Sequence, residues 1–359
     1  MTPSFGTELQ NGKYILQEEI KSGVSGVTYK ALNTATKKEV AIKTLNLAIV
    51  QDSYLDELRK KFFDEARRLV KCTHPNIIRF RDFFIEEEMP YIVMDPIRGI
   101  TLDRVVLPSN PLPEDVAVNC IRQIGEAVKV IHNNNLLHRD IKPENIMLHK
   151  SNQQVILIDF GIAREFKEGL VQTQTHITSE YAPLEQYLPR AKRSQAADVY
   201  GLAATLYTLL TAQVPVAAPL RDRIPLSAPR DLRADLSPEV SVAVMRGMIV
   251  EAEHRPSNVD EWLTMLPPIQ NRHFTIHVPS GVSSNEPTVE NNSQEESYTP
   301  APTPETSNSS SGFNQYLKIG LALLVGFVIF DYMVIKLREN SNPSPNSNDR
   351  SKIEFIHKA

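Results

Sequence analysis

The spacing of apolar residues changes about one hundred residues into the chain, and this change constrains the fold more than any other feature. The first part contains short apolar runs of strand length, such as Val40–Lys43 and Tyr91–Met94. Beyond Pro113, apolar residues recur every three to five positions over Glu114–His132, and Ala196–Ala212 is apolar on nearly all sides. A β-rich part followed by an α-rich part predicts an α+β chain with two lobes and a cleft between them.

The charge balance and the cysteine content exclude several classes of protein. The 359 residues include 39 Lys and Arg against 43 Asp and Glu, so no basic excess calls for a nucleic-acid partner. Cys72 and Cys120 are too few for a disulfide framework or a zinc site, and their apolar neighbours favour buried thiols in a reducing compartment. Met1–Glu8 lacks the pattern of a signal peptide, so we expect the first 270 residues to remain in the cytosol.

Two glycines, a lysine and a glutamate in the strand-rich part are weak signals when each is taken alone. Gly23 and Gly26 would let the backbone pass close over a phosphate chain, although two glycines between strands usually mark only a turn. Lys43 ends a predicted strand, where an isolated lysine normally points to solvent. Glu65 falls in the helical stretch Glu57–Lys71 and by itself is a solvated helix charge.

The strongest chemical signal is the segment His138–Asn145 (HRDIKPEN), followed by the triplet Asp159–Gly161 (DFG). Transfer of a γ-phosphoryl group needs a carboxylate that accepts the proton of the attacking hydroxyl, cations on the phosphates, and oxygen ligands for Mg²⁺. The residues of those types are, in order, Asp140 for the hydroxyl, Lys142 for the transferred group, Asn145 and Asp159 for the metal, and Lys43 for the α- and β-phosphates. The strand Val155–Ile158 would hold the second metal ligand on a rigid support.

This set of residues resembles the eukaryotic-type protein kinases of the Ser/Thr class, and the resemblance covers residues 14–268. It implies a bilobal protein-kinase fold, with a β-rich N-lobe over about 14–95 and an α-helical C-lobe over about 97–268. It also implies ATP as cosubstrate, Mg²⁺ or Mn²⁺ as cofactor, and the hydroxyls of protein substrates as acceptors. The arrangement of the whole chain is typical of bacterial members.

The resemblance assigns further residues to nucleotide binding. It implies that Lys43 pairs with Glu65 and that the glycine loop Gly23–Gly26 covers ATP. Met94 corresponds to the gatekeeper, and the hinge Asp95–Ile97 would meet adenine through its backbone.

Other family positions concern the internal support of the site. Asp198 corresponds to the aspartate of the central helix that holds the catalytic loop, and Arg255 corresponds to the buried ion-pair partner of Glu185. Three residues correspond to an internal apolar spine and are equally expected as ordinary core: Leu69, His138 and Phe160.

The activation segment after the DFG triplet is rich in hydroxyl residues. Thr178 corresponds to the threonine that bridges the catalytic aspartate and lysine in Ser/Thr kinases, and together with Lys142 it favours Ser or Thr over Tyr as acceptor. Phosphorylation of Thr175 or Thr173, with Arg139 as the receiving cation, is one expectation. The alternative is a polar loop with solvated hydroxyls.

Three positions depart from the family pattern, and two other functions fit part of it. Lys21 stands where the first glycine of the loop is usual and Thr28 where valine is usual, which would lower ATP affinity; Pro183 comes one place early. A pseudokinase that only binds partners would be expected to lack a catalytic charge, yet all are present. A kinase of small molecules is disfavoured by the segment Lys142–Asn145 and by the long activation segment.

The last eighty residues differ sharply in composition. Residues 278–312 are mostly Ser, Asn, Thr, Pro and Glu, with five Glu and no Lys or Arg, which predicts a disordered acidic linker. The apolar run Ile319–Ile335 predicts one transmembrane helix over 317–337, followed by a short polar tail over 338–359. The alternative is a buried helix of a small C-terminal domain.

A span at this position predicts a single-pass protein of the cell membrane, with the lipid bilayer as a partner and the kinase domain in the cytoplasm, where ATP is available. Asp331 near one end of the span is costly in a bilayer. Ala322 and Gly326, four residues apart, would let two such helices pack closely as a homodimer. The same spacing also arises by chance in helices rich in Leu, Val and Gly.

Overall fold

The computed structural model describes the chain from residue 5 to residue 268 with several gaps, together with one further residue. The described residues are 5–23, 26–46, 55–96, 98–149, 154–160, 180–188, 191–268 and 276. All of them belong to one compact unit, Met1–Pro287. In these residues, no helix combines the length and the apolar character needed to cross a membrane. The predicted linker, span and tail lie outside the described residues.

The N-terminal part of the unit is a six-stranded antiparallel sheet with the strand order β1-β2-β3-β4-β6-β5. Its strands are β1 (Glu8–Leu9), β2 (Tyr14–Gly23), β3 (Gly26–Asn33), β4 (Lys38–Thr44), β5 (Phe80–Glu86) and β6 (Met89–Met94). The two predicted strands of this part lie inside β4 and β6 and are confirmed.

Helix α1 (Leu55–Leu69) packs against β5 and β6. Phe62, Ala66 and Leu69 follow helical spacing and are fully buried, so the helix lays its apolar stripe on the sheet. The predicted helix Glu57–Lys71 is therefore confirmed, with bounds shifted by two residues.

The C-terminal part consists mainly of helices. They are α2 (Leu102–Val106), α3 (Glu114–Asn133), α4 (Ala196–Thr211), α5 (Pro229–Leu232), α6 (Pro238–Gly247) and α7 (Val259–Leu263). All sixteen residues of α4 are buried, and α3 and α6 pack against it, as its uniformly apolar sequence predicts. The apolar stripe predicted for α3 is confirmed, because Val116, Ile121, Ile124, Val128 and Ile131 are all buried.

Two strand registers place polar residues at the base of the cleft. In the sheet of β7 (Gly99–Thr101), β8 (Ile146–His149) and β9 (Val155–Leu157), Ile146 pairs with Leu157, so Asn145 and Asp159 lie at the same end. In the larger sheet, Lys21 pairs with Thr28 and Thr28 pairs with Lys43. Directly opposed residues of an antiparallel sheet share a face, so the two lysines point the same way.

Candidate active site

The centre of the site is a pair of side-chain oxygens, one from Asn145 and one from Asp159, which we call the oxygen pair. Asn145 ends a short 3-10 turn, and its side chain is fixed because its amide donates to the carbonyl of Asp140 at 2.8 Å. Asp159 follows β9 and is 8% exposed. The Lys21 ammonium donates to Asn145 Oδ1 at 3.1 Å and to Asp159 Oδ2 at 3.0 Å. The two oxygens therefore converge on one point, where a cation already sits.

This convergence tests whether the site fits a divalent cation. A carboxylate and an amide oxygen are ligands that Mg²⁺ accepts, and Mg²⁺ usually takes its remaining ligands from water and phosphates. Within the part of the chain that the structure describes, no group of three or more His, Cys, Asp or Glu side chains is arranged to hold a metal. By their chemistry, the Asn145 and Asp159 oxygens fit a divalent cation whose remaining ligands come from water and phosphates.

Two lysines keep Asp159 ionised. Burial alone would raise the pKa of this carboxyl, but the charges and hydrogen bonds of Lys43 and Lys21 hold the pKa well below its ordinary value. Lys43 contacts Asp159 Oδ1 directly, and its ammonium lies 3.3 Å from the carbonyl oxygen of Phe160. Asp159 thus presents a full negative charge at neutral pH.

The partner of Lys43 differs from the one that the family resemblance implied. The predicted partner was Glu65, whereas the ion pair seen in the structure joins Lys43 to Asp159. Glu65 is buried on α1 and has contacts of its own. Both charges are buried, and a buried charge is stable only when it is paired, so the Lys43 ammonium and the adjacent Asp159 carboxylate stabilise each other.

The residues predicted for the transfer step lie beside the oxygen pair. Asp140 is 7% exposed, and the Lys142 ammonium lies 3.6 Å from its Oδ1. Because the Asn145 amide donates to the backbone carbonyl of Asp140, the Asp140 carboxylate and the predicted metal ligand Asn145 are held close together. The structure therefore brings together five of the predicted residues: Lys43, Asp140, Lys142, Asn145 and Asp159.

Asp198, in the first turn of α4, fastens the loop that carries Asp140. Its carboxylate accepts the backbone N–H of His138 at 2.8 Å and that of Arg139 at 2.7 Å, and His132 Nε2 donates to it at 2.8 Å. Arg139 has φ +64°, which costs energy in a residue other than glycine. Burial would raise the pKa of Asp198, but the hydrogen bond and charge of His132 lower it overall.

The glycine loop contains one position that only glycine can occupy. Gly26 has φ +122°, and a Cβ placed there would lie 2.3 Å from the backbone oxygen of Thr44. A Cβ at Gly23 would meet no atom within 4 Å. The requirement for glycine at Gly26 therefore comes from the sheet itself and does not depend on a nucleotide.

The gatekeeper and hinge positions follow β6. Met94 is buried at the end of the strand, and Asp95 donates its backbone N–H to the carbonyl of Arg79 at 2.9 Å. The Asp95 side chain forms a bidentate ion pair with Arg81, and the predicted backbone contact of the hinge with adenine stays a prediction. Ile97 lies outside the described residues.

Two internal supports are present as the resemblance implies. Arg255 donates to both carboxylate oxygens of Glu185 at 2.9 Å and has no exposed side-chain surface. The ring of Phe160 lies 4.9 Å from that of His138 and 5.7 Å from that of Phe80. The sequence reasoning missed Phe80 as a member of this stack.

Some predicted residues lie outside the part of the chain that the structure describes, and two observed contacts were not predicted. Thr173, Thr175 and Thr178 lie outside the described residues, so the activation-segment roles stay predictions. The unpredicted contacts are those of Lys21 with the oxygen pair and of His132 with Asp198. The strand register around the glycines could have indicated the first, because it places Lys21 in line with Lys43.

Comparisons with known proteins agree with this geometry. The model of the protein kinase domain matches residues 14–237. Serine/threonine-protein kinase PkaA of Streptomyces coelicolor is 34% identical over 218 residues, which cover 56% of this chain and 39% of that one. Serine/threonine-protein kinase PrkC of Bacillus subtilis is 33% identical over 210 residues, which cover 57% of this chain and 31% of that one. The solved apo form of PpkA-294 is 26% identical with a TM-score of 0.60, covering 74% of this chain and 99% of that one.

The curated relatives match this chain over only part of their own length, so their activities are not assigned to this chain by the match alone. The chain spans less than half of the length of the curated relatives it matches. The family match, by contrast, covers more than half of this chain, and it contains strands β2–β6 of the N-terminal sheet and the oxygen pair with its neighbouring charges. With its β-sheet N-lobe and helical C-lobe, the chain belongs to the protein kinase domain family.

Proposed function

We propose that the chain is a Ser/Thr protein kinase that transfers the γ-phosphoryl group of ATP to Ser or Thr hydroxyls of proteins. One observation carries this proposal: the carboxylate Asp140, the oxygen pair Asn145 and Asp159, and the cation Lys43 converge in one site. The curated relatives are named Ser/Thr protein kinases, which supports Ser or Thr as the acceptor.

The residues of the chain divide the chemistry among them. Asp140 would orient the acceptor hydroxyl and take its proton, while Lys142, 3.6 Å away, would face the transferred group. Lys43 would place its charge on the α- and β-phosphates. The divalent cation, proposed to be Mg²⁺ and held by Asn145 and Asp159, would supply charge neutralisation at the β- and γ-phosphates.

Further parts of the proposal concern the chain outside the described residues. A transmembrane helix over 317–337 would attach the protein to the cell membrane as a single-pass protein, with the kinase domain in the cytoplasm. It is supported by the apolar run and by the acidic linker over 278–312 that precedes it. The proposal also includes a homodimer through Ala322 and Gly326 and phosphorylation of Thr175.

The decisive experiment is incubation of the full-length protein with radiolabelled ATP, Mg²⁺ and a general protein acceptor, followed by phosphoamino-acid analysis. We expect phosphoserine and phosphothreonine, and a loss of at least about 10²–10⁴-fold in rate for Asp140→Asn. Asp222→Asn, on an exposed aspartate, is the matched control and should retain activity. Residual turnover of Asp140→Asn near the rate of the control, with both proteins folded, would refute the assigned role.

A further inference from the structure

Lys21 occupies a distinctive place in the molecule. It lies on β2, two residues before Gly23, and pairs across the sheet with Thr28, which in turn pairs with Lys43. Its ammonium donates to Asp159 Oδ2 at 3.0 Å and to Asn145 Oδ1 at 3.1 Å. A strand lysine thus reaches across the cleft to the two side chains that the proposed function assigns to the metal.

The two lysines at the site differ in how firmly they are held. The Lys43 side chain is 6% exposed, and its ammonium also approaches the Phe160 carbonyl. The Lys21 side chain is 47% exposed, and its described contacts at the site are the two metal-ligand oxygens. Lys21 can therefore withdraw into solvent at low cost, whereas Lys43 remains in place.

A divalent cation and the Lys21 ammonium cannot use the same oxygens together. Mg²⁺ binds its oxygen ligands at about 2.0–2.1 Å, so it would have to sit where the ammonium now sits. Electrostatic repulsion also opposes joint occupancy. The Asp159 carboxylate already faces two ammonium groups, and the two positive charges of the metal would be repelled by them at short range. Binding of metal requires one cation to leave, and exposure identifies Lys21 as that cation.

We propose that Lys21 is a built-in competitor of the divalent cation. Its ammonium holds the oxygens of Asp159 and Asn145 and is displaced when the metal binds, which sets a higher metal concentration for activity than these ligands alone would require. This inference rests on the proposed function for its assignment of the metal ligands. It gives a positioning and regulatory role to a residue that stands where the family has a glycine.

The test measures Mn²⁺ binding to the full-length protein by electron paramagnetic resonance of free Mn²⁺, without nucleotide. Lys21→Met should bind Mn²⁺ about two- to fivefold more tightly, the factor expected for removal of an ion pair with one half-exposed partner. Lys21→Arg keeps the charge and should bind as the wild type does. Lys13→Met is the matched control, because Lys13 is 42% exposed and pairs with Asp82, which is not one of the site residues.

A kinetic measurement gives a second readout. The Mg²⁺ concentration at half-maximal rate, taken at fixed saturating ATP, should fall in Lys21→Met by the same factor as the Mn²⁺ dissociation constant. Thermal unfolding checks the fold of each variant, and Lys21→Gln replaces the methionine variant if that one unfolds.

The outcomes separate this inference from the proposed function. Unchanged or weaker Mn²⁺ binding by Lys21→Met, in a protein whose Asp159→Asn variant loses the binding, overturns the role of Lys21 and leaves the proposed kinase site intact. Unchanged binding by Asp159→Asn places the metal elsewhere and overturns both. Tighter binding by Lys21→Met together with loss by Asp159→Asn supports both.

Discussion

Replacement of Asp198 by Asn tests how the catalytic loop is held. The Asp198 carboxylate accepts two backbone N–H groups and the ring N–H of His132. Asparagine offers a single acceptor oxygen, and its NH₂ group faces donors, so at least one buried donor loses its partner. Leaving such a donor unpaired costs about 1–3 kcal/mol. The remaining hydrogen bonds must also offset the backbone strain at Arg139, which has φ +64°.

The expected loss of about 2–3 kcal/mol corresponds to a fall in Tm of about 4–12 °C, at roughly 2–4 °C per kcal/mol for a domain of 150–250 residues. Differential scanning fluorimetry at pH 7 measures it, with Asp222→Asn as the exposed control. We also expect a lower kcat, because the loop carries Asp140. An Asp198→Asn protein that melts within about 1 °C of the wild type and keeps its kcat would refute the reasoning.

The same carboxylate predicts a dependence on pH. Because folding lowers the pKa of Asp198, its ionised form stabilises the folded state above the unfolded pKa, near 4, and this stabilisation is lost as the pH falls through the folded pKa. The difference in free energy of unfolding between the wild type and Asp198→Asn should therefore shrink as the pH falls below about 4. Urea unfolding at each pH measures that difference, and a constant difference down to pH 3 would contradict the assignment.

Three further perturbations have definite expected outcomes. Gly26→Ala should lower the free energy of unfolding, measured in urea, by about 1–3 kcal/mol, because Gly26 has a positive φ and its Cβ would meet the Thr44 backbone oxygen. Gly23→Ala should change the free energy of unfolding by less than about 1 kcal/mol. Equal effects of the two substitutions would contradict this account. Arg255→Met leaves a carboxylate buried without its partner and should cost about 3–5 kcal/mol by the same measurement, so a loss below 1 kcal/mol would refute it. Burial raises the pKa of Cys72 to about 11 and that of Cys120 to about 12, so iodoacetamide at pH 8 should alkylate both only after unfolding, and rapid labelling of the folded protein would contradict their burial.

The parts of the fold that depend on local pattern could be predicted from the sequence. The stripe in α3 and the uniformly apolar α4 need only the period of their apolar residues, since burial of such stripes is the main stabilising term. Helix bounds are less determined by pattern: α1 runs over Leu55–Leu69, two residues earlier than the predicted Glu57–Lys71. Helix ends fray, so the pattern fixes their bounds only to within one or two residues.

The candidate site was predictable in its residue types but not in its contacts. Asp140, Asn145 and Asp159 follow from the motif, because their chemistry is needed at that spacing. The partner of Lys43 depends on how α1 sits against the sheet, a tertiary distance that no local pattern contains. The contact of Lys21 depends on the β2–β3 register, and its reach across the cleft depends on where the two lobes meet.

The anchoring of the Asp140 loop on α4 has a consequence for how the proposed kinase activity would be lost on heating. Asp198 sits in a helix whose sixteen residues are all buried, so the loop cannot shift unless the interior of the C-lobe loosens. An apolar cavity near the far end of α4, such as the one left by Leu209→Ala, would then lower the temperature at which phosphoryl transfer is lost, because it lowers the melting temperature of the lobe. Heat inactivation should coincide with cooperative melting instead of preceding it.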